Sequence, residues 1–274
     1  MMVVLLLEQH ILPTLKILDV STTIGCNLSC KGCNHFSNYF HPNSRLDTDA
    51  LLKDIETILP RLDIERVSVI GGEPLLNPRC EEIVNACISH TNSFVYLYTN
   101  GLLLLQNEGW IRKVLEHPKV YLRVSVHTNE VNKILDKFKH PKLLVSKHHV
   151  GQDMWFDSVK KRDGKVYPYN QGKIAKSYKL CSCPNTQLFK GKLWKCPNTA
   201  FLRELLSVTE QSDAKEWEEY IVDGLPVDCS DEELTKFCNQ SRLPHNVCNM
   251  CTSKPLHFSG AIQERGKRNV IISK

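Results

Sequence analysis

Strand-like and helix-like segments alternate along the chain from about residue 16 to residue 146. Short apolar runs with the length and residue types of buried strands lie at 16–22, 66–70, 94–101, 120–126 and 142–146. The intervening segments with apolar residues at helical spacing lie at 47–60, 78–88, 107–117 and 129–139. Alternation of this kind predicts an α/β fold with a parallel sheet and right-handed crossovers. Ligands bind such sheets at the carboxyl ends of the strands, so the residues that follow each strand are candidates for a site.

The pattern changes after about residue 150, and we place a boundary at 150–170. The second part carries a predicted turn at Asp163–Gly164 and a predicted β-hairpin around Lys190–Gly191. A length of 274 residues suits one large domain with a smaller extension. We therefore expect a core at residues 1–165, continuing to about 175, and an extension at residues 175–274.

The composition is that of a globular protein, with 42% hydrophobic and 24% charged residues. The net charge of +5 fits anionic substrates or cofactors but does not indicate nucleic-acid binding. The apolar run at residues 3–7 is too short to span a bilayer and is followed by Glu8 and His10, which predicts no membrane segment and a cytoplasmic location. In that reducing compartment the twelve cysteines are expected to be metal ligands, catalytic thiols or buried apolar groups.

Three cysteines, Cys26, Cys30 and Cys33, follow the first predicted strand with the spacing C-x₃-C-x₂-C. Thiolates are soft ligands that suit zinc or iron–sulfur clusters. Three of them can hold three irons of a cubane cluster and leave the fourth iron open to a small molecule. A zinc site completed by His35 is the alternative that the loop by itself leaves open.

The second predicted strand ends in Gly71, Gly72, Glu73 and Pro74. A glycine pair lets the backbone approach a ligand closely, and Glu73 and nearby carbonyls can accept hydrogen bonds from a cationic amine. An ordinary strand-to-helix turn is the alternative. The later strands end near three further polar residues at the same predicted edge: Asn100, Ser125 and His127.

With these two motifs in this order, residues 16–150 resemble the radical SAM superfamily. The resemblance implies a partial (β/α)6 TIM-like barrel in which the cysteine loop binds a 4Fe–4S cluster. It implies that the Gly71–Pro74 turn contacts the amino group of S-adenosylmethionine (SAM), and that Ser125 and His127 reach its ribose or carboxylate. The family often has an aromatic residue just before the third cysteine, where this chain has Gly32; Phe36 or His35 is then the candidate for the adenine contact.

A second set of cysteines resembles the SPASM/twitch extensions of the same superfamily. Cys181 and Cys196 flank Gly191 in a C-x₉-G-x₄-C pattern, and Cys248 and Cys251 form a later C-x₂-C pair. The resemblance implies a twitch-like β-hairpin plus helix in which these four cysteines bind one auxiliary 4Fe–4S cluster. A zinc ribbon with the same ligands is the alternative.

Five cysteines remain. Cys80 and Cys87 lie seven residues apart on one predicted helix and are expected to be core thiols. Cys183, Cys229 and Cys238 are either core residues or thiols near the substrate, and Cys183 could replace Cys181 as a ligand. Among these three, we expect Cys229 to be a hydrogen donor because it lies in a loop-like stretch before the final cysteine pair.

The resemblance also implies the chemistry. An electron donor such as flavodoxin or ferredoxin would reduce the cluster, SAM would be cleaved, and a 5′-deoxyadenosyl radical would abstract hydrogen from a substrate C–H bond. The chain has the compact size of the aminoglycoside-pathway epimerases and dehydrogenases that it resembles, which implies a small hydroxyl-rich metabolite such as a sugar or aminocyclitol. The spare cysteines favour epimerisation. The alternatives are two-electron dehydrogenation through the auxiliary cluster, modification of a ribosomal peptide, and a zinc-binding module without catalysis.

Overall fold

The structure is a computed structural model that describes residues 11–30, 32–147, 158–181, 185–254 and 263–264. Cys183 and the apolar run at 3–7 lie outside the described residues. Within the described ranges, no helix has both the length and the apolar character needed to cross a membrane.

The described residues form an α/β structure. Its strands are β1 (Thr14–Ser21), β2 (Leu28–Ser29), β3 (Asp63–Ile70), β4 (Phe94–Thr99), β5 (Val120–Val126), β6 (Leu143–Lys147), β7 (Lys160–Arg162), β8 (Lys165–Tyr167), β9 (Thr186–Phe189), β10 (Lys192–Trp194), β11 (Leu225–Pro226) and β12 (Gln263–Glu264). Its helices are α1 (Thr48–Ile58), α2 (Cys80–His90), α3 (Glu108–Leu115), α4 (Asn129–Lys137), α5 (Ile174–Leu180), α6 (Pro197–Val208) and α7 (Asp231–Ser241). Short 3₁₀ turns lie at Leu59–Arg61, Pro74–Leu76, Leu105–Asn107, Lys215–Tyr220 and Asn246–Met250.

The central sheet has the order β11-β10-β9-β1-β3-β4-β5-β6. The six strands from β9 to β6 run parallel to one another, as the predicted α/β fold requires. Five of them are the strands predicted between residues 16 and 146. The sixth is β9, which pairs with β1 through Leu18 and Thr186. The parallel sheet is therefore completed by the segment that the sequence assigned to the extension.

Both predicted turns of the second part are present as β-hairpins. Asp163 and Gly164 join β7 to β8, and Lys190 and Gly191 join β9 to β10. All four residues have positive φ, between 49° and 77°. A two-residue hairpin loop whose central residues both have positive φ matches the twist of the flanking strands. The turn residues in the sequence were therefore sufficient to predict both hairpins.

Helices cover one face of the parallel sheet. Alternate strand residues such as Val69, Leu97 and Leu122 pack with helix residues such as Ile55 and Ile83 in one buried apolar cluster. Because side chains alternate between the two faces of a strand, the residues in between lie on the opposite, concave face. The concave face carries a different kind of residue, mostly polar or aromatic: Asp19, Ser21, Arg66, Ser68, Tyr96, Tyr98, Tyr121, Arg123 and Ser125.

A second apolar cluster connects the cysteine loop with the C-terminal part of the chain. It contains Phe36 and Phe40 from the loop together with Phe201, Trp217 and Met250, and Cys251 packs against it. Phe201 also lies against His35, with ring centroids 5.2 Å apart. This cluster therefore joins the two regions of cysteines through one continuous core.

Candidate active site

The three cysteines of the first loop are close neighbours. The Cys26 Sγ accepts a hydrogen bond from the Leu28 amide at 3.3 Å, and the Phe36 amide donates to the Cys33 carbonyl at 3.0 Å. Burial raises the pKa of the Cys30 thiol, and the neighbouring Cys33 and Cys26 raise it further. In the described ranges, no three His, Cys, Asp or Glu side chains are arranged around a single metal ion. The donor set of three thiols fits an iron–sulfur cluster.

Gly71 and Gly72 hold the end of β3 against the segment that leads into this loop. The Gly72 amide donates to the Thr23 carbonyl at 3.0 Å, and the Glu73 amide donates to the Gly25 carbonyl at 3.0 Å. A Cβ atom added to Gly72 would lie 2.0 Å from the Gly25 oxygen, and one added to Gly71 would lie 2.6 Å from the Thr23 oxygen. These contacts explain both glycines by backbone packing, and the contact of the Gly71–Pro74 turn with SAM stays a prediction.

Glu73 lies behind these glycines and is 1% exposed. Its Oε1 accepts from the Thr99 hydroxyl at 2.6 Å and from the Leu75 amide at 3.2 Å, and its Oε2 accepts from the Asn100 amide at 2.8 Å. Burial raises the pKa of Glu73 to about 7, although these hydrogen bonds act in the opposite direction. Pro74 follows as the first residue of a 3₁₀ turn that Glu73 caps.

Asn100 connects Glu73 to the cysteine loop. Its side-chain Nδ2 donates to Asn27 Oδ1 at 2.6 Å and lies 3.8 Å from the Cys26 sulfur. Its own Oδ1 accepts from the Leu102 amide at 3.1 Å, which fixes the side chain at the end of β4. Asn27 was not predicted from the sequence as a site residue. Its position between Cys26 and Cys30 could have indicated that it lies in the site.

Ser125 and His127 lie at the carboxyl end of β5, next to β4, which ends before Asn100. Both are half-buried, and Ser125 is in register with Ser146 on β6. The predicted strand-end residues therefore lie along one edge of the sheet. Phe36 does not share this position, because it is 2% exposed and packs into the second apolar cluster. The adenine contact expected of Phe36 or His35 stays a prediction.

The four later cysteines line one pocket although they are far apart in sequence. These residues are Cys181 at the end of α5, Cys196 at the start of α6, and Cys248 and Cys251 near the C-terminal 3₁₀ turn. Burial raises the pKa of Cys251 well above its ordinary value, and the nearby Cys196, Cys181 and Cys248 thiols raise it further. The Asn198 Nδ2 donates to the Cys251 sulfur at 3.1 Å. Four thiols around one pocket fit an iron–sulfur cluster, whose several irons need wider ligand spacing than a single metal ion.

The two other proposed hydrogen donors that the structure describes lie elsewhere. The Cys229 carbonyl accepts from Arg61 at 2.6 Å, and Arg61 lies two residues before the first residue of β3. Cys238 is 4% exposed and packs in the core between the sheet and its helices. An eight-residue strand such as β3 is about 26 Å long, so Cys229 lies at the edge of the sheet opposite to Glu73. This placement does not support either cysteine as a hydrogen donor, because both are separated from the predicted SAM edge by the sheet.

Comparison with known proteins identifies the first part of the chain. Residues 20–147 match the model of the Radical SAM superfamily. The chain is 32% identical over 118 residues to GTP 3′,8-cyclase of Aquifex aeolicus (strain VF5), which is 42% of this chain and 36% of that protein. It is 28% identical over 106 residues to 7-carboxy-7-deazaguanine synthase of Methanothermobacter thermautotrophicus, which is 39% of this chain and 41% of that protein.

The matched segments are thus about two fifths of the length of these relatives. Among solved structures, BtrN in complex with AdoMet and 2-DOIA superposes with a TM-score of 0.48 at 14% identity, over 92% of this chain and 100% of that one. The Radical SAM superfamily uses SAM and a 4Fe–4S cluster as cofactors. Residues 20–147 of this chain are therefore similar to a radical SAM domain.

Proposed function

We propose that this chain is a radical SAM enzyme that oxidises a secondary alcohol of a small, hydroxyl-rich metabolite by two electrons. The observation that carries this proposal is the second thiol site, where Cys181, Cys196, Cys248 and Cys251 line one pocket. In this proposal residues 1–165 are the radical SAM core, and residues 175–274 are a twitch-like extension whose four cysteines hold an auxiliary 4Fe–4S cluster.

Each set of residues has a distinct task in the proposed enzyme. Cys26, Cys30 and Cys33 hold the first cluster, and Glu73 offers carboxylate oxygens to the amino group of SAM. When bound, the first cluster and SAM supply a radical that takes a hydrogen atom from the substrate, and the auxiliary cluster supplies an electron acceptor. The net change in the substrate is loss of a hydrogen atom from carbon, a proton from the hydroxyl and one electron, which leaves a ketone.

Oxidation is preferred over epimerisation because of where the thiols lie. Epimerisation requires a group that returns a hydrogen atom to the substrate radical, and the two candidate thiols that the structure describes, Cys229 and Cys238, lie in or beside the core at the helix side of the sheet. The auxiliary site, in contrast, is joined to the cysteine loop through the second apolar cluster. A one-electron donor of the flavodoxin or ferredoxin type is the expected partner.

Replacing Cys251 by alanine should separate SAM cleavage from product formation. The first cluster stays intact in this variant, so 5′-deoxyadenosine is still formed under reductant, but the substrate radical has no electron acceptor and the ketone is lost. Reactions in D₂O with candidate sugars, analysed by mass spectrometry, measure both products. A Cys238→Ala variant is the control and should retain ketone formation.

The deuterium content of the product distinguishes oxidation from epimerisation in the same experiment. A product two hydrogens lighter without solvent deuterium at the reacting carbon supports oxidation. A product of unchanged hydrogen count that carries one deuterium supports epimerisation instead and contradicts our proposal. Iron and sulfide analysis separates both from a zinc-binding module, because two filled clusters give about eight irons per chain.

SAM affinity should depend on pH through Glu73. With a pKa of about 7 in the free protein, the carboxyl is mostly ionised at pH 8 and mostly protonated at pH 6. A protonated carboxyl no longer offers two acceptor oxygens, so affinity should fall about tenfold as the pH is lowered over this interval. Equilibrium dialysis with labelled SAM measures this. A Glu73→Gln variant should bind SAM more weakly and lose the part of the pH dependence that Glu73 causes; an unchanged profile would contradict the assignment.

A further inference from the structure

Two arginines lie on the concave face of the sheet, and neither has a described carboxylate within ion-pair distance. Arg66 on β3 and Arg123 on β5 alternate with Val67 and Val124, which pack toward the helices. In the described part of the chain, neither guanidinium forms an ion pair. The Nε atom of Arg66 is buried and has no hydrogen-bond partner. A buried donor on a charged group is costly to leave unsatisfied, which points to a ligand that accepts from it.

The aromatic residues on the same face hold these arginines in place. The Arg66 guanidinium lies 5.3 Å from the Tyr96 ring centroid, and the Arg123 guanidinium lies 5.6 Å from that of Tyr98. Tyr96 is stacked on Tyr121, with centroids 5.2 Å apart. The Arg123 Nε also donates to the Ser146 hydroxyl at 3.1 Å. Stacked in this way, each guanidinium is oriented while part of its donor edge stays available.

Asp19 on β1 carries the described carboxylate that is nearest to Arg66 in strand register. It is already hydrogen-bonded to other residues. Its Oδ2 accepts from Gln187 at 2.8 Å and from Asn185 at 3.2 Å. Arg66 favours the ionised form of Asp19 electrostatically but is not within ion-pair distance. Among the described residues of the concave face, Arg66 and Arg123 are therefore outside ion-pair distance of any carboxylate, and the Asp19 carboxyl is already hydrogen-bonded.

The two arginines lie at different distances from the carboxyl ends of the strands. Arg123 precedes Ser125 by two residues, and Tyr98 precedes Asn100 by two, so this pair lies about 7 Å from the strand ends toward the barrel interior. Arg66 is further inside, in register with Ile17 and Phe94. A molecule that extends from the strand ends into the barrel would meet Arg123 first and Arg66 next.

We propose that the substrate carries an anionic group, a carboxylate or a phosphate, which Arg123 and Arg66 bind on the concave face of the sheet. The proposal rests on the proposed function, because it places the substrate beside the SAM edge, and it narrows the substrate to an acidic or phosphorylated hydroxyl compound. Paired N–H donors of a guanidinium match both kinds of oxyanion.

Calorimetric titration of the anaerobically reconstituted full chain, with SAM bound, tests this assignment. Four probes are used: glucose 6-phosphate, gluconate, glucose and glucosamine. We expect at least one of the two anions to bind about tenfold or more tightly than glucose, and glucosamine to bind more weakly than that anion. The anion that binds more tightly shows whether the anionic group of the substrate is a phosphate or a carboxylate.

Arg66→Gln and Arg123→Gln should each remove most of this preference for the anion. Arg66→Lys and Arg123→Lys, which keep the charge but lose the planar donors, should retain part of it and show that the site still folds. The control is Arg79→Gln, because Arg79 is a surface residue paired with Asp49 and Glu82.

The proposal is overturned if neither anion binds more tightly than glucose, or if both glutamine variants keep the preference. SAM cleavage by the same preparations, measured without any probe, tests the proposed function separately. Cleavage without anion preference would reject the anionic substrate and leave the radical SAM assignment standing. Preferential anion binding without SAM cleavage would support the anionic substrate and reject the radical SAM assignment.

Discussion

Replacement of Cys30 by alanine is expected to reduce 5′-deoxyadenosine formation to background. Cys30 is the central member of the three-thiol loop, where burial and the neighbouring Cys33 and Cys26 thiols raise its pKa. With only two thiols left, the loop cannot hold three irons of a cubane cluster. The measurements are SAM cleavage under reductant, iron content and visible absorbance of the anaerobic protein.

The control for this variant is Cys87→Ala. Cys87 is fully buried among apolar residues of α2, away from both thiol sites. Its loss removes one small buried group, which costs about 1 kcal/mol of stability and should leave the iron content unchanged. Full SAM cleavage by Cys30→Ala, with the control also active, would show that the first loop does not hold the catalytic cluster.

Replacement of Gly72 by alanine is expected to disrupt both cluster incorporation and SAM binding. The added methyl group would lie 2.0 Å from the Gly25 oxygen and 2.5 Å from the Gly25 carbonyl carbon. These are backbone atoms, so a side-chain rotation cannot relieve the overlap. The segment that leads into the cysteine loop must therefore move, at a cost of about 1–3 kcal/mol or more. The denaturation midpoint, iron content and SAM affinity should all fall.

Gly109→Ala is the matched control because the two changes are chemically identical. Gly109 lies in α3, and a Cβ atom added there meets nothing within 4 Å. Alanine is the better helix former, so this variant should be more stable by up to about 1 kcal/mol and bind SAM as before. Normal iron content and SAM affinity in Gly72→Ala would show that the close contact with Gly25 is not needed for the site.

Local sequence patterns were sufficient for much of the fold. The strand β5 was predicted with the bounds that it has. The helical segment predicted from residue 47 begins with Asp47 as the N-cap of α1, whose side chain accepts from the Asp49 and Ala50 amides. The α2 helix begins at Cys80 rather than at the predicted Pro78. Asn77 explains the difference, because its Oδ1 accepts from the Arg79 amide and its Nδ2 reaches the Thr22 carbonyl, which extends the loop by two residues.

The site was partly predictable for the same reason. Ligand spacing within a loop and strand ends along one edge are properties of short segments and of parallel sheets in general. The role of Gly72 was not predictable, because the Gly25 backbone that it contacts is 47 residues away in the sequence. The position of Cys229 beside Arg61 likewise depends on a contact across 168 residues.

The sequence by itself determined the α/β class, the radical SAM motifs and the spacing of both thiol sets, because periodicity and ligand spacing are encoded in short stretches of chain. The tertiary structure decided three other things. It placed β9 beside β1, buried Glu73 so that its pKa rises to about 7, and left Arg66 and Arg123 together on the concave face. Period-two alternation gives a strand two faces, but only the packing of distant elements determines which face is covered and which stays open to a ligand.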